Sequence, residues 1–425
     1  MAKAIFEVNS VDFKPKALAW AQQFEHACFL QSNGYQDEYA AIDAILAVEA
    51  VHKFESIDTN TFKNLEIFKA KHPKKWMFGF LGYDLKHEIE GLATTFANPL
   101  QFPDCFFFIP STLIQFTGNF IEIEAKNPQQ IFDEISNFKP HSSSISALKS
   151  INIKPRLSKK EYFAAFDHML SHIRRGDIYE VNLCQEFYAE NAEINPLEVY
   201  QKLNTISPTP FSTFFKIGDK FILSASPERF LAKRGKTLIS QPIKGTAPRG
   251  KSLEEDNVII QQLQNNPKEI AENVMIVDLV RNDMTRSAIP GSVIANKKLE
   301  VHSFKQVHQL VSTITCRISE EISNVEAIKN IFPPGSMTGA PKISAMKLCD
   351  RYENSRRGIY SGAVGYFSPE GDFDFNVIIR TILYNQTNKY LSFHTGGALT
   401  IDAEVEKEYN ECLLKASAIM QTLKP

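Results

Sequence analysis

The sequence lacks any bias of charge: 47 Lys and Arg stand against 49 Asp and Glu, a formal net charge of −2 over 425 residues. Without a basic field there is no electrostatic ground for binding nucleic acid. With 23% charged residues of balanced sign there is none for disorder either. It also lacks a cysteine framework. Cys28, Cys105, Cys184, Cys316, Cys349 and Cys412 lie far apart, with no C-x-x-C pair and no Cys/His cluster at zinc spacing, which argues against disulfides and structural zinc. The opening MAKAIFEVNSVDFKPK has no basic segment followed by an apolar core, and no uncharged run approaches the roughly 18 residues of a spanning helix. No internal repeat is visible. These absences predict a reduced, cytoplasmic protein with no membrane span, whose partners are small molecules or other proteins.

What is present is a chain long enough for a large core, in two regions of different texture. The stretch KPHSSSISALKSINIKPRLS, residues 139 to 158, separates them and places a boundary near residue 150. Residues 1–150 read as an α/β region packed into the same core, with buried aromatic strands in KWMFGFLGYDL and CFFFIPSTLIQF. In residues 151–425, Ser158 and Glu161 form a capping box ahead of a helix that Gly176 can end. Strands are expected in FSTFFKI, KFILSAS, KTLIS, FDFNVIIRTIL and KYLSFHT, with helices around 253–282, 305–320 and 402–422. The order is too irregular for a βαβ repeat, so the fold class is α+β with a layered sheet.

Two signatures overlap in QPIKGTAPRGKS, residues 241 to 252. From Gly245 to Ser252 the chain satisfies the P-loop pattern G-x-x-x-x-G-K-[ST] and so allows a nucleotide-binding protein. Against it, Pro248 removes a backbone donor from the cradle, and Glu254, Glu255 and Asp256 fill the first turn of the helix that follows. Ser252 and Glu255 read as a helix cap, and VMIVDL continues the helical spacing of Ile270, Val274 and Val277 rather than forming a Walker B strand. The second signature is P-I-K-G-T, in which Lys244 is either a solvated residue at a strand end or, if buried, a nucleophile.

Eight stretches decide between them: RGDIYEVNLCQ, SASPERF, PIKGTAPRG, AENVMIVDLVRND, PPGSMTGAPK, RRGIYSGAVGY, NVIIRT and FHTGGALT. Together, in order, they resemble the chorismate-utilising enzymes, which include anthranilate and isochorismate synthases. FGFLGYDL extends the resemblance toward the N-terminus. It implies a large layered antiparallel β-sheet core wrapped by helices. P-I-K-G-T looks like the branch that makes 4-amino-4-deoxychorismate for 4-aminobenzoate and folate, with anthranilate synthesis as the alternative. Glu180 stands where isochorismate and salicylate synthases have a water-activating lysine, which disfavours water as nucleophile.

Residue by residue, the resemblance implies the following. Lys244 attacks ring carbon 2 of chorismate, and Glu228 protonates the departing 4-hydroxyl; the residues alone also allow Glu228 to be a first-turn helix acid after Pro227. Arg380 and Tyr360 bind an acidic group of the substrate. Ser336 supplies a hydroxyl, and Thr246 and glycine turns at Gly335–Gly339 and Gly396–Gly397 line the site. Magnesium ligands map to Glu272 and Glu411, with Glu408 beside them; by spacing alone Glu404, Glu408 and Glu411 are equally a solvated helix face next to a stripe of Tyr409, Leu413, Ala416 and Met420. Where relatives carry a histidine before Leu310 this chain has Gln309, with His308 one place earlier, so no acid or base role carries over. Ammonia would come from a separate glutamine amidotransferase subunit in a heterodimer, since no glutaminase triad is recognisable. No lyase domain is recognisable either. FLQSNGY, residues 29 to 35, falls where relatives bind a feedback amino acid.

Overall fold

The computed structural model describes residues 1–36, 38–56, 60–139 and 151–425; the expected boundary near residue 150 lies at the edge of the stretch outside the described residues. Every strand pairing among the described residues is antiparallel. From Glu180–Ala189 the ladder runs through Tyr390–Leu399, Thr381–Asn385, Lys220–Ser226, Phe211–Ile217, His26–Gln31 and Ala44–Glu55 to Cys105–Thr117. It continues through Met77–Leu81, Ala363–Phe367, Phe373–Val377 and Arg229–Arg234 to Thr237–Gln241 and Ile243–Pro248, which lie in line along one edge of Val307–Arg317, and Ile294–Ser303 pairs on the other edge of that strand. Strands from the N-terminal region therefore sit in the middle of the ladder, and strands from the C-terminal region supply both arms. The arms meet: Lys244 Nζ on Ile243–Pro248 donates to Glu180 Oε1 on Glu180–Ala189 at 2.6 Å.

The sheet is buried on both faces along much of its length, which explains the aromatic runs. Phe106, Phe107 and Phe108 are consecutive and fully buried, and they pack with Phe78, Phe80, Phe215, Phe367 and Phe375. Gly79 admits this packing, because a Cβ there would lie 2.2 Å from the Phe106 carbonyl oxygen.

The helix Lys159–Arg175 begins and ends where its signals predict. Ser158 and Glu161 form the capping box, and Gly176 closes the helix at φ +83°. The expected single helix over 253–282 is two, Leu253–Asn265 and Pro267–Thr285, because Pro267 restarts the chain and the Asn266 side chain caps the new amides. Among the described residues no helix is long and apolar enough to cross a membrane.

Three expectations are corrected. Residues 307–317 form a strand rather than a helix; with nearly every residue buried there is no alternation to mark it, and only the β-branched content of VSTIT signals it. FDFNVIIRTIL is two strands, broken at Arg380, which has φ +52°. Gly396 and Gly397 lie inside the strand Tyr390–Leu399, paired with Cys184 and Leu183, and form no turn.

Candidate active site

Where the two arms of the ladder meet, a cavity opens that is lined by Lys244, Glu228, Glu272, Arg380, Tyr360, Ser336, Thr246, Gly396 and Glu411. Of the residues expected at the site, Gly335, Gly339, Gly397 and Glu408 fall outside this lining, and the last two lie directly behind it. A Cβ on Gly397 would stand 3.1 Å from Glu408 Oε2 and 3.7 Å from Glu411 Oε1. The bare backbone leaves these carboxylates their space.

Lys244 is 8% exposed and sits at an irregularity of its strand, where the register against Val307–Arg317 shifts between Ile243 and Thr246. The reading of a solvated lysine is excluded. Burial pulls its pKa down, but Glu180, then Glu272 and Glu228, more than offset that, so the amine is held as an ammonium above its ordinary range. Neighbouring carboxylates as well as burial therefore set its state.

Glu228 follows the strand Lys220–Ser226 and leads straight into Arg229–Arg234, with no helix after Pro227. It is 3% exposed, and its Oε1 accepts from the Ser336 hydroxyl at 2.5 Å. Burial raises its pKa to about 7, against the opposing pull of Ser336 and Lys244. Such a carboxyl is part protonated at neutral pH and able to donate.

The guanidinium of Arg380, displaced from the strand by its break, makes no hydrogen bond or ion pair among the described residues, while burial lowers its pKa. Tyr360 is buried and stacks on His394 with ring centroids 4.9 Å apart. An unpaired guanidinium beside a buried phenol suits an anionic ligand.

The acidic wall comes from two helices. Glu272 on Pro267–Thr285 is 7% exposed, and its Oε1 has no hydrogen-bond partner. Burial brings its pKa up to about 7, with Lys244 and Lys268 opposing. On Val405–Thr422, Glu408 is buried and accepts from Lys268 Nζ at 2.9 Å, and Glu411 pairs with Lys415 Nζ at 2.6 Å. Burial raises Glu411, but Lys415 outweighs it and holds the carboxyl below its usual range. The solvated-face reading fails for this helix: Glu408, Cys412, Ala416 and Ile419 face inward, Leu413 is exposed, and Glu404 stands apart at the N-cap. Among the described residues no three His, Cys, Asp or Glu side chains are arranged to hold a metal by themselves. The donors nonetheless fit a hard cation that takes one or two carboxylates and completes its shell with water and an anionic ligand.

Sequence reasoning left out several residues. Glu269 lines the same cavity one turn before Glu272, and its i, i+3 spacing on one helix face was the available signal. His394 lines it beside Gly396, two residues on along one strand face. Gln309 also lines it, with Oε1 unpartnered and Nε2 donating to Thr246 Oγ1 at 3.4 Å. His308 points to the other face of the strand, bonded to Asp256 Oδ1 and Ser303 Oγ at 2.8 Å each. Strand alternation thus settles the shifted histidine, which does not reach the cavity. The P-loop match is likewise spent locally: Gly250 N donates to Asp256 and Lys251 N to Glu255, each at 2.7 Å, so these loop amides are capped by carboxylates. FLQSNGY contributes Leu30, Gln31, Ser32 and Tyr35 to a separate cavity closed by Pro210, Phe211 and Tyr366.

The family model described as chorismate binding enzyme matches residues 25–421. The chain is 41% identical over 272 residues to an aminodeoxychorismate synthase of Streptomyces griseus, covering 64% of this chain but spanning only 37% of that longer protein. It is 34% identical over 347 residues to aminodeoxychorismate synthase component 1 of Klebsiella aerogenes, covering 81% of this chain and 76% of the relative. The crystal structure of anthranilate synthase component I from Streptococcus pneumoniae superposes with a TM-score of 0.79 at 26% identity, over 91% of this chain and 95% of that one. The match to the family model takes in both arms of the ladder and every residue of the cavity they enclose, and the chain belongs to the chorismate binding enzyme family.

Proposed function

We propose that this chain converts chorismate and ammonia to 4-amino-4-deoxychorismate through a covalent adduct on Lys244. The observation that carries the reading is a buried lysine sharing one cavity with a carboxyl group near half protonation. Relatives named aminodeoxychorismate synthase support it. Arg380 and Tyr360 hold one carboxylate of the substrate. The Lys244 amine bonds to ring carbon 2, both ring double bonds shift by one position, and the bond from carbon 4 to oxygen breaks as Glu228 supplies the proton that leaves with water. Ser336 keeps the Glu228 carboxyl oriented for that transfer. Ammonia then bonds at carbon 4 and the lysine leaves. Splitting one displacement into two steps is what a covalent nucleophile achieves.

Magnesium is the cofactor this reading implies. Glu272 and Glu411 would hold it, with Glu408 behind them, and the unpartnered Glu272 oxygen fits that role. When bound, the ion neutralises the ring carboxylate and the acidic wall. Lys268 pairs with Glu408 at 2.9 Å and lies 3.7 Å from Glu272, so in the present arrangement its ammonium offsets part of the acidic wall's charge. Ammonia is supplied by a glutamine amidotransferase subunit. The six free, buried thiols suit a cytoplasmic setting.

Incubation with chorismate, an ammonium salt and magnesium tests this. The product should be 4-amino-4-deoxychorismate, which aromatises only when a lyase is added; anthranilate formed without lyase would overturn the assignment. Lys244→Ala should lose at least roughly 100-fold in rate at low ammonia, and unchanged turnover there would remove the covalent step.

A further inference from the structure

We propose that Glu180 is the proton acceptor that turns Lys244 from a stored ammonium into the attacking amine, an inference that rests on the nucleophilic role of Lys244. An ammonium has no lone pair, so a lysine held as one must lose a proton before it can form a bond to carbon. Among the described residues the one hydrogen bond of Lys244 Nζ goes to Glu180 Oε1, at 2.6 Å, with Glu180 fully buried. The second oxygen, Oε2, is buried and has no hydrogen-bond partner. Among the described residues the Lys244 nitrogen is thus the one donor to this carboxylate, and it is the atom that must lose its proton. The Glu180 backbone is fixed by pairing with Ala340, and the Gly339 beside it has no space for a Cβ, which would come within 2.2 Å of the Glu180 carbonyl oxygen. The acceptor is therefore held in line with the nitrogen.

In the transfer one Nζ–H bond breaks and one Oε1–H bond forms, so ammonium and carboxylate become amine and carboxylic acid. The amine then bonds to the ring carbon while the Glu228 proton departs with the 4-hydroxyl as water. Because the first proton never leaves the pair, this step exchanges none with solvent and is independent of pH. Besides Lys244, the charged or titratable groups lining the cavity are Glu228, Glu269, Glu272 and Glu411, with Lys268, Lys415, Arg380, Tyr360 and His394. They are common to the wild type and a Glu180 variant.

The test is the ratio of kcat/KM for Glu180→Gln to that of the wild type, measured between pH 6 and 8 with chorismate, saturating ammonium and saturating magnesium. Contributions from Glu228 and the ammonia equilibrium cancel in that ratio. Without an acceptor, and with Glu272 and Glu228 still holding Lys244 as an ammonium, the amine must be released to solvent first, so the ratio should rise about tenfold per pH unit. A ratio flat with pH overturns the proposal, because loss of a merely structural contact lowers rates equally at every pH. Glu180→Asp keeps the carboxylate on a shorter arm and should give a reduced but flat ratio; a sloping one also overturns it. Lys244→Ala, assayed alongside, separates the two failures: full activity there removes the nucleophile itself, whereas a dead Lys244→Ala with a flat Glu180→Gln ratio removes only the acceptor.

Discussion

Glu228→Gln should cost activity and return stability, in amounts that follow from one buried carboxyl. In the folded chain burial raises its pKa from 4.5 to about 7. A carboxyl with a folded pKa above its unfolded value binds extra protons when folded, so its favourable contribution is fully present below about pH 4.5 and is lost as pH rises toward 7. Each tenfold difference in proton affinity between the folded and unfolded chains corresponds to about 1.4 kcal/mol. Ionisation linkage at this position therefore destabilises the protein by about 1 kcal/mol at pH 5 and about 3 kcal/mol at pH 8. Glutamine does not ionise and can still accept the Ser336 hydroxyl. Relative to the wild type, Glu228→Gln should gain about 2 kcal/mol between pH 5 and pH 8. Urea midpoints of both proteins at the two pH values read this directly, and Glu272, with its own pKa of about 7, cancels because both proteins contain it. In turnover, kcat/KM of the wild type should fall above pH 7 as the donor ionises, whereas the variant should lose that limb and about 10²- to 10⁴-fold in rate. A stability difference that does not change with pH would refute the buried, half-protonated acid.

The remaining predictions concern the walls of the cavity. Gly397→Ala places a methyl group 3.1 Å from Glu408 Oε2 and should raise the magnesium concentration for half-maximal activity about tenfold, with turnover at saturating magnesium much less affected; an unchanged magnesium titration would separate Gly397 from the carboxylates. Glu353→Ala strips Arg357 of the carboxylate that accepts from its Nε at 2.8 Å and its Nη2 at 2.5 Å, both groups being buried. That leaves an unpaired buried cation and should lower unfolding stability by about 3–5 kcal/mol in denaturant titration.

Much of the site was legible because chemistry and local backbone signals coincide there. Pro and Gly around Lys244 and the capping box at Ser158 each act over a few residues, and sequence displays such signals directly. What was hidden depends on pairing across long separations. The strand 307–317 is paired along both edges, to 237–248 and 294–303, and nearly all of its residues are buried, so it shows no alternation and imitates a helix. Arg380 faces the cavity because the chain breaks between two strands, yet its neighbours Ile378 and Ile379 read as one continuous strand.

The lysine gives the sharpest case of a residue whose identity was visible but whose state was not. Its type, its strand and its rigid surroundings are local facts. Its partner Glu180 lies 64 positions earlier and on the other arm of the hydrogen-bonded ladder. The two meet only because the strands of residues 26–117 occupy the middle of the sheet and carry it round until its arms meet. Ladder geometry therefore sets whether the nitrogen begins as amine or ammonium, and the N-terminal strands, which contribute no side chain to the cavity, govern its chemistry by closing the sheet that creates the ion pair.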